Sequence, residues 1–258
     1  MWTALLLAGQ RPGIDPFAAA MGVERKALVE VGGVPMLARV ARTLLDCPEV
    51  SRVVVLAQDT AALTAHPATA WLATDARIGF ATTGAGIAAS IAAVGGSGAA
   101  PWPVLVTTAD HPLLTPAMVA AFLRGAGTAD VAFGVVERAV VLAAYPENRR
   151  TWLKFRGGAW SGANLFALRS ERAQVALSLW AGVERDRKSG WRLILRLGPL
   201  LLAGALLRIL SLEWAVARLG RNLGIEARAV ALPFAEAAID VDKVSDYRLA
   251  EQILAART

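Results

Sequence analysis

The sequence predicts an α/β fold built on a doubly wound, mostly parallel sheet, and three observations carry that prediction. Short apolar runs recur along the first half of the chain, each ending in turn residues. Segments with helical character separate them, so the order reads as repeated β-α-β units. The chain has 258 residues, of which 55% are hydrophobic, enough for one large domain with a substantial core. Runs that are apolar throughout, rather than alternating, mark strands buried on both faces by helices. In such sheets ligands sit outside the carboxyl ends of the strands.

The elements follow in order. Leu5-Leu6-Leu7 is the first strand, and Ala8-Gly9-Gln10-Arg11-Pro12-Gly13 is the turn after it. Backbone amides of a glycine turn at this place face the crevice where a polyphosphate can bind. After the apolar stretch Ile14–Gly22 come Glu24-Arg25-Lys26 and the turn Gly32-Gly33-Val34-Pro35, which starts a helix over Pro35–Leu45. Arg52–Ala57, Ile78–Ala81 and Val104–Thr107 read as buried parallel strands. Helices are predicted at Gly86–Val94 and Pro116–Arg124, the latter with Thr115 as N-cap and Pro116 at the first helical position. Beyond Ala129 the pattern changes. Ala132–Val136 and Ala163–Leu168 read as strands that need not be parallel, with an irregular polar stretch from Tyr145 to Gly162 between them. A strand at Ala227–Leu232 and a helix at Val244–Ala256 close the chain, and there is neither an internal repeat nor a low-complexity linker.

Charge and cysteine content narrow the class. A formal net charge of +6 suits an anionic ligand, but the charge is thinly spread through the first half, which argues against nucleic acid as partner. The single Cys47 forms no intrachain disulfide and points to a reducing compartment. Met1-Trp2-Thr3 runs directly into a strand without a basic leader, so a cytoplasmic location is expected.

Two carboxylate motifs stand where a sheet of this kind places its ligands. Val106-Thr107-Thr108-Ala109-Asp110-His111-Pro112 ends a hydrophobic strand in an aspartate at the sheet rim, where a hard cation bridging phosphates needs an oxygen ligand. A plain turn cap is the other reading of Asp110. His111 receives no role. Near the C-terminus, Asp240 and Asp242 lie two apart on an extended segment and so point to one side. Asp242 is also placed to cap the helix that follows.

The ordered set of glycine loop, Arg11, Lys26, the Gly-Gly-x-Pro turn and the Thr-x-Ala-Asp-x-Pro run resembles nucleotidylyltransferases of the molybdopterin-guanylyltransferase-like and cytidylyltransferase class. The resemblance implies a single nucleotidyltransferase domain over 1–258 of the Rossmann-like, GT-A-like type, with a small helical, acceptor-side insertion at about 138–226. It implies transfer of NMP from an NTP to a phosphorylated acceptor with release of pyrophosphate. By matching position, Lys26 and Arg11 are the catalytic cations, Asp110 and Asp242 hold Mg²⁺, and Leu7, Ala8, Gly9, Gln10, Gly84, Ser90 and Ala109 surround the nucleotide. The Ala8–Gln10 amides and Arg11 would grip the β- and γ-phosphates. Departures are Gln10, where the family has a small residue, the long Ile14–Gly22 stretch, and the absence of the usual proline after Lys243. An acceptor phosphate is already ionised near neutral pH, so the lack of a Ser-His-Asp or paired acid–base set is consistent with this chemistry.

Thr82-Thr83-Gly84-Ala85-Gly86 through Ser90 is similar to the base-reading segment of methylerythritol-phosphate cytidylyltransferases, though Ile87 replaces the arginine found there. CTP is therefore favoured over GTP, while close packing of a small-residue helix explains the composition equally well. On the acceptor side, Lys154 and Arg156 share one face of an extended segment and could grip the acceptor's phosphate. Asn164 occupies the place where related enzymes contact ribose or acceptor, and Asp240, the neighbour of Asp242, is assigned to the acceptor. A solvated basic strand face is the alternative for the two cations.

Between Arg196 and Arg208 eleven residues are uncharged, short of the roughly 20 that a spanning helix needs. The basic and tryptophan-bearing segment 185–219 is compatible with contact at the inner membrane surface, or with cover for a lipid-like acceptor. A helical subdomain on the sheet or a homodimer interface is the commoner explanation. Two rivals differ in class. A nucleotide-sugar glycosyltransferase would carry an Asp-x-Asp motif at the middle strand, where Asp110 stands alone, and Lys26 also argues against it. A non-catalytic nucleotide-binding protein would have no need of Lys26, Asp110 and Asp242 together.

Overall fold

The computed structural model describes residues 1–10, 13–84, 86–185 and 209–257. In chain order the strands and helices are β1 (Trp2–Leu7), α1 (Pro16–Ala20), β2 (Glu30–Val31), β3 (Val34–Pro35), α2 (Met36–Leu45), β4 (Val50–Ala57), α3 (Thr60–Thr64), β5 (Ile78–Thr82), α4 (Ile87–Val94) and β6 (Val104–Thr108). They continue as α5 (Pro116–Ala126), β7 (Val131–Glu137), α6 (Arg138–Ala144), β8 (Leu153–Phe155), β9 (Gly158–Leu168), α7 (Gln174–Arg185), α8 (Leu212–Asn222), β10 (Ala227–Ala231) and α9 (Val244–Ala255).

Eight strands form one sheet in the order β10-β7-β9-β6-β1-β4-β5, with β8 paired to β9. The β6-β1-β4-β5 half is parallel throughout, as is the β10–β7 pair, and β9 is antiparallel to both β6 and β7. The apolar runs became strands because both sheet faces are covered. Leu6, Val53, Val55 and Leu105 pack with α2 and α5 in one core, while Leu5, Val54, Leu56 and Val106 pack with α4 and α7 in another. In α2, Leu37, Val40, Ala41 and Leu44 are wholly buried. Each such leucine contributes about 1.5–3 kcal/mol of transfer free energy. In α5, Thr115 caps as its type predicts, its hydroxyl accepting from the Met118 amide at 3.3 Å.

Two local devices set up the crevice. Gly32 and Gly33 have φ of 60° and 69°, the pair of left-handed residues that a tight hairpin turn between β2 and β3 requires. The Gly-Gly-x-Pro turn therefore closes a hairpin and delivers the chain into α2. The second device lies in β9, whose pairing with β7 shifts register between Phe133 and Val135. A bulge there holds Asn164 at φ 48°, a conformation asparagine tolerates better than most residues. Gly134 faces it, and a Cβ at that position would lie 3.2 Å from the Cβ of Ala163.

The stretch from Tyr145 to Gly162, expected to be irregular, is instead partly a β-hairpin. β8 pairs with an eleven-residue β9 that begins at Gly158, well before the predicted Ala163. Arg156-Gly157 makes the turn with Gly157 at φ 90°, and Leu153 and Phe155 alternate with Lys154 as a strand should. Helix α6 has no counterpart in the sequence pattern, since its seven residues are too few to show a period. Of segment 185–219, residues 186–208 lie outside the described residues. No described helix is long and apolar enough to cross a membrane.

Candidate active site

The carboxyl ends of β1 and β6 and the segment between β10 and α9 converge on Lys26. Lys26 opens a short 3₁₀ turn, Lys26–Leu28, in which Ala27 is buried, leaving the ammonium to reach the sheet rim. Its Nζ donates to Asp110 Oδ2 at 2.6 Å and also contacts Asp242 Oδ1. The two carboxylates are 132 positions apart in sequence. A main-chain bond, Val241 N–H to Asp110 C=O at 2.8 Å, ties their segments together. Burial alone would lower the Lys26 pKa, but the charges and hydrogen bonds of Asp110 and Asp242 outweigh it, and the ammonium stands above its ordinary value.

Among the described residues no three His, Cys, Asp or Glu side chains cluster as a metal cage. The two carboxylates nevertheless fit Mg²⁺, which is commonly bound by one or two carboxylates together with substrate phosphates. Asp110 Oδ1 is buried and has no hydrogen-bond partner among the described residues, an oxygen left available to a cation.

The glycine loop is more committed than its sequence suggests. Ala8 N–H donates to Leu56 C=O at 2.8 Å, and Gln10 N–H donates to Gln58 Oε1 at 3.1 Å. Gln58 Nε2 in turn donates to Gln10 C=O at 2.9 Å. Of the three amides expected to face a triphosphate, Ala8 and Gln10 are thus engaged within the fold, and the Gly9 N–H has no partner among the described residues. Leu7 and Ala109 are joined by an Ala109 N–H to Leu7 C=O bond of 2.9 Å, which aligns the two loop starts. Arg11 lies outside the described residues. Sequence reading missed Gln58, whose position just past the end of β4 was its only signal.

Ser90 differs from expectation in the same way. Its hydroxyl accepts from Gly84 N–H at 2.8 Å and donates to Gly86 C=O at 2.6 Å, so it shapes the loop that leads into α4. It is 2% exposed, too buried to be offered directly to a base. The first free amides of α4 meet Glu184 from α7, whose Oε2 accepts from Ala88 N–H at 3.1 Å.

Asp240 turns away from the Lys26 centre. It forms an ion pair with Arg150 Nη2, and Asn164 Nδ2 approaches its Oδ2 at 3.5 Å. Burial opposes ionisation of Asp240, yet the Arg150 guanidinium holds its carboxyl below the usual range. Arg150 Nε donates to Ser161 Oγ at 3.3 Å. Arg149, Arg150, Ser161, Asn164, Asp240 and Asp242 line an open cleft of about 470 Å³. Lys154 and Arg156 do not line it. They are exposed on the β8–β9 hairpin, because the turn at Gly157 carries that strand face outward. His111 is fully buried behind the centre, and that burial holds its pKa below the ordinary value, with Asp110 and Asp240 opposing.

The MobA-like NTP transferase domain family matches residues 4–195, three quarters of the chain, including Lys26 and Asp110 but not Asp242. The chain belongs to that family. Membership makes it a nucleotidyltransferase and agrees with the mostly parallel sheet described above. A hypothetical transferase from Thermus thermophilus is 31% identical, with a TM-score of 0.77 over 95% of this chain and 98% of that one. Two more distant structures share the fold. One is 4-diphosphocytidyl-2C-methyl-D-erythritol synthase from Anaerococcus prevotii, at 10% identity and TM-score 0.60 over 98% of this chain and 95% of that one. The other is 2-C-methyl-D-erythritol 4-phosphate cytidylyltransferase from Thermus thermophilus, at 18% identity and TM-score 0.53 over the whole of both chains. No curated protein sequence matches the chain.

Proposed function

We propose that this NTP transferase is Mg²⁺-dependent and moves CMP from CTP to a phosphorylated small-molecule acceptor, releasing pyrophosphate. The observation that carries the reading is the contact of one ammonium, Lys26, with two carboxylates, Asp110 and Asp242, at the open end of the sheet beside the glycine loop. An acceptor phosphate oxygen attacks the α-phosphorus of the NTP; the new P–O bond forms as the bond to the β-phosphate bridging oxygen breaks, and pyrophosphate leaves. No proton has to move, so the chain's task is positioning and charge neutralisation.

Asp110 and Asp242 would hold Mg²⁺, which when bound neutralises charge on the transferring phosphoryl and the leaving group. Lys26, a lysine and so protonated near neutral pH, adds positive charge where negative charge builds. Gly9 N–H is free to meet a phosphate oxygen, and Gln58 holds the loop in the shape that presents it. The similarity of the Gly84-to-Ser90 segment to a cytidine-reading loop supports CTP.

GTP is the second reading, favoured by Glu184. Its Oε2 accepts from Ala88 N–H, which puts a carboxylate beside the Gly84-to-Ser90 loop, and a carboxylate is the group that accepts from the N–H donors of guanine. The test is to incubate the protein with Mg²⁺, each of the four NTPs in turn and a panel of phosphorylated metabolites, following pyrophosphate. Release with CTP alone supports the reading, release with GTP alone moves the donor to guanine, and no release with any NTP overturns nucleotidyl transfer to a phosphate.

A further inference from the structure

The cleft beside Asp242 carries cations that the motifs did not reveal. Arg149 and Arg150 sit on the segment between α6 and β8, and Lys243 also lines the cleft. The carboxylates that share this wall are already engaged. Asp240 is paired to Arg150, Asp242 contacts Lys26, and Asp246 Oδ2 accepts from the Asp242 amide at 3.3 Å. Arg149 and Lys243 form no ion pair among the described residues.

Arg150 is held rather than neutralised. Asp240 takes a hydrogen of Nη2 and Ser161 takes that of Nε, which fixes the guanidinium plane. Its Nη1 makes no hydrogen bond among the described residues, leaving two donors. The bulge that puts Asn164 in a left-handed conformation brings its amide to the same Asp240. Three segments of the chain, those of Arg150, β9 and Asp240, thus meet at the wall of an open cleft. Such fixed donor pairs suit the oxygens of a phosphate, which accepts two parallel bonds from a guanidinium.

We propose that Arg149 and Arg150 form a docking site for a phosphomonoester dianion, the phosphate of the acceptor, adjoining the transfer centre at Asp242. The inference deepens the reading above and rests on it for the fate of the bound phosphate. The cleft of about 470 Å³ is in the range of small-metabolite sites. A second cavity of about 560 Å³ shares Arg149, Lys243 and Asp246 with it and adds Tyr145 and Leu249. It offers room for the organic body of the acceptor, with an aromatic and an aliphatic wall.

The test uses phenyl phosphate and benzoate as probes, titrated into the full-length protein, with Arg149→Ala and Arg150→Lys as variants. Thermal melting checks that each variant folds; Arg149 is exposed, and Arg150→Lys keeps the charge opposite Asp240 while removing the fork. Binding of Mg·CTP and Mg·GTP is measured in parallel. The expected result is at least a tenfold loss of phenyl phosphate affinity in both variants, with nucleotide affinity within twofold of wild type. Benzoate should bind wild type at least tenfold more weakly than phenyl phosphate.

Wild-type affinity for phenyl phosphate in both variants, equal binding of benzoate, or no phenyl phosphate binding by wild type would each overturn the docking site. Loss of phenyl phosphate in the variants from a protein that binds neither nucleotide would uphold the site and overturn the nucleotidyl-transfer reading instead.

Discussion

The amide of Val241 donates to the carbonyl of Asp110 across 2.8 Å, and this bond joins the end of β6 to the segment that carries Asp242. Both residues are shielded, Val241 wholly and Asp110 in part, so the bond is protected from competing water. It sets the distance between two carboxylates far apart in sequence and gives Lys26 a fixed place between them.

Lys26→Ala should lower pyrophosphate release by about 10²–10³-fold, the usual cost of removing one group that stabilises transition-state charge. Thermal stability should fall but the fold should persist, because Asp110, 22% exposed, loses its cation while Asp242, 61% exposed, rehydrates readily. Steady-state assay with melting curves measures both, and near-normal turnover would remove Lys26 from the chemistry.

Removal of divalent cations with a chelator should abolish turnover, and Mg²⁺ should restore it. Asp110→Ala should be the more damaging of the two carboxylate changes, since Asp110 is the less exposed and carries an unpartnered buried oxygen. Asp242→Ala should retain partial activity at high Mg²⁺. If a Mg²⁺ titration found Asp240 essential and Asp242 dispensable, the assignment of ligands would reverse.

Gln58→Ala should raise the KM for the nucleotide while leaving kcat close to wild type. Two hydrogen bonds of about 1 kcal/mol each hold the Gln10 backbone, which corresponds to roughly a thirtyfold weaker grip once they are lost. Gln58→Glu keeps the acceptor for Gln10 N–H but loses the donor, and should fall between. A purely kcat effect would contradict a loop-shaping role.

Cys47 should resist alkylation in the native protein at pH 8. It is 2% exposed, its thiol donates to Thr43 C=O at 3.1 Å, and burial together with nearby Glu49 and Asp46 pushes its pKa up to about 12. Raising an acid's pKa removes thiolate, so modification should track global unfolding in denaturant rather than pH between 7 and 9. Rapid labelling without denaturant would show that α2 opens locally.

The sequence by itself determined the parallel half of the sheet, because β1, β4, β5 and β6 are apolar on both faces and only a two-sided cover of helices satisfies such runs. It also determined the order of the chemical segments, the glycine loop, Lys26, Asp110 and Asp242, since each falls next to a recognisable strand end or turn. Tertiary structure decided what those segments do to one another. Hydrogen bonds to Ala8 and Gln10 come from Leu56 and Gln58, partners with no local signature, so their engagement was hidden in the one-dimensional pattern. The β8–β9 hairpin was illegible because β8 has only three residues and the start of β9 carries Gly158 and Gly162, so pairing rather than periodicity defines it. The same hairpin turned Lys154 and Arg156 outward, and the partly buried Asp240–Arg150 contact brought a different pair of arginines to the cleft. Long-range pairing of charges is fixed by packing, and only the folded chain discloses it.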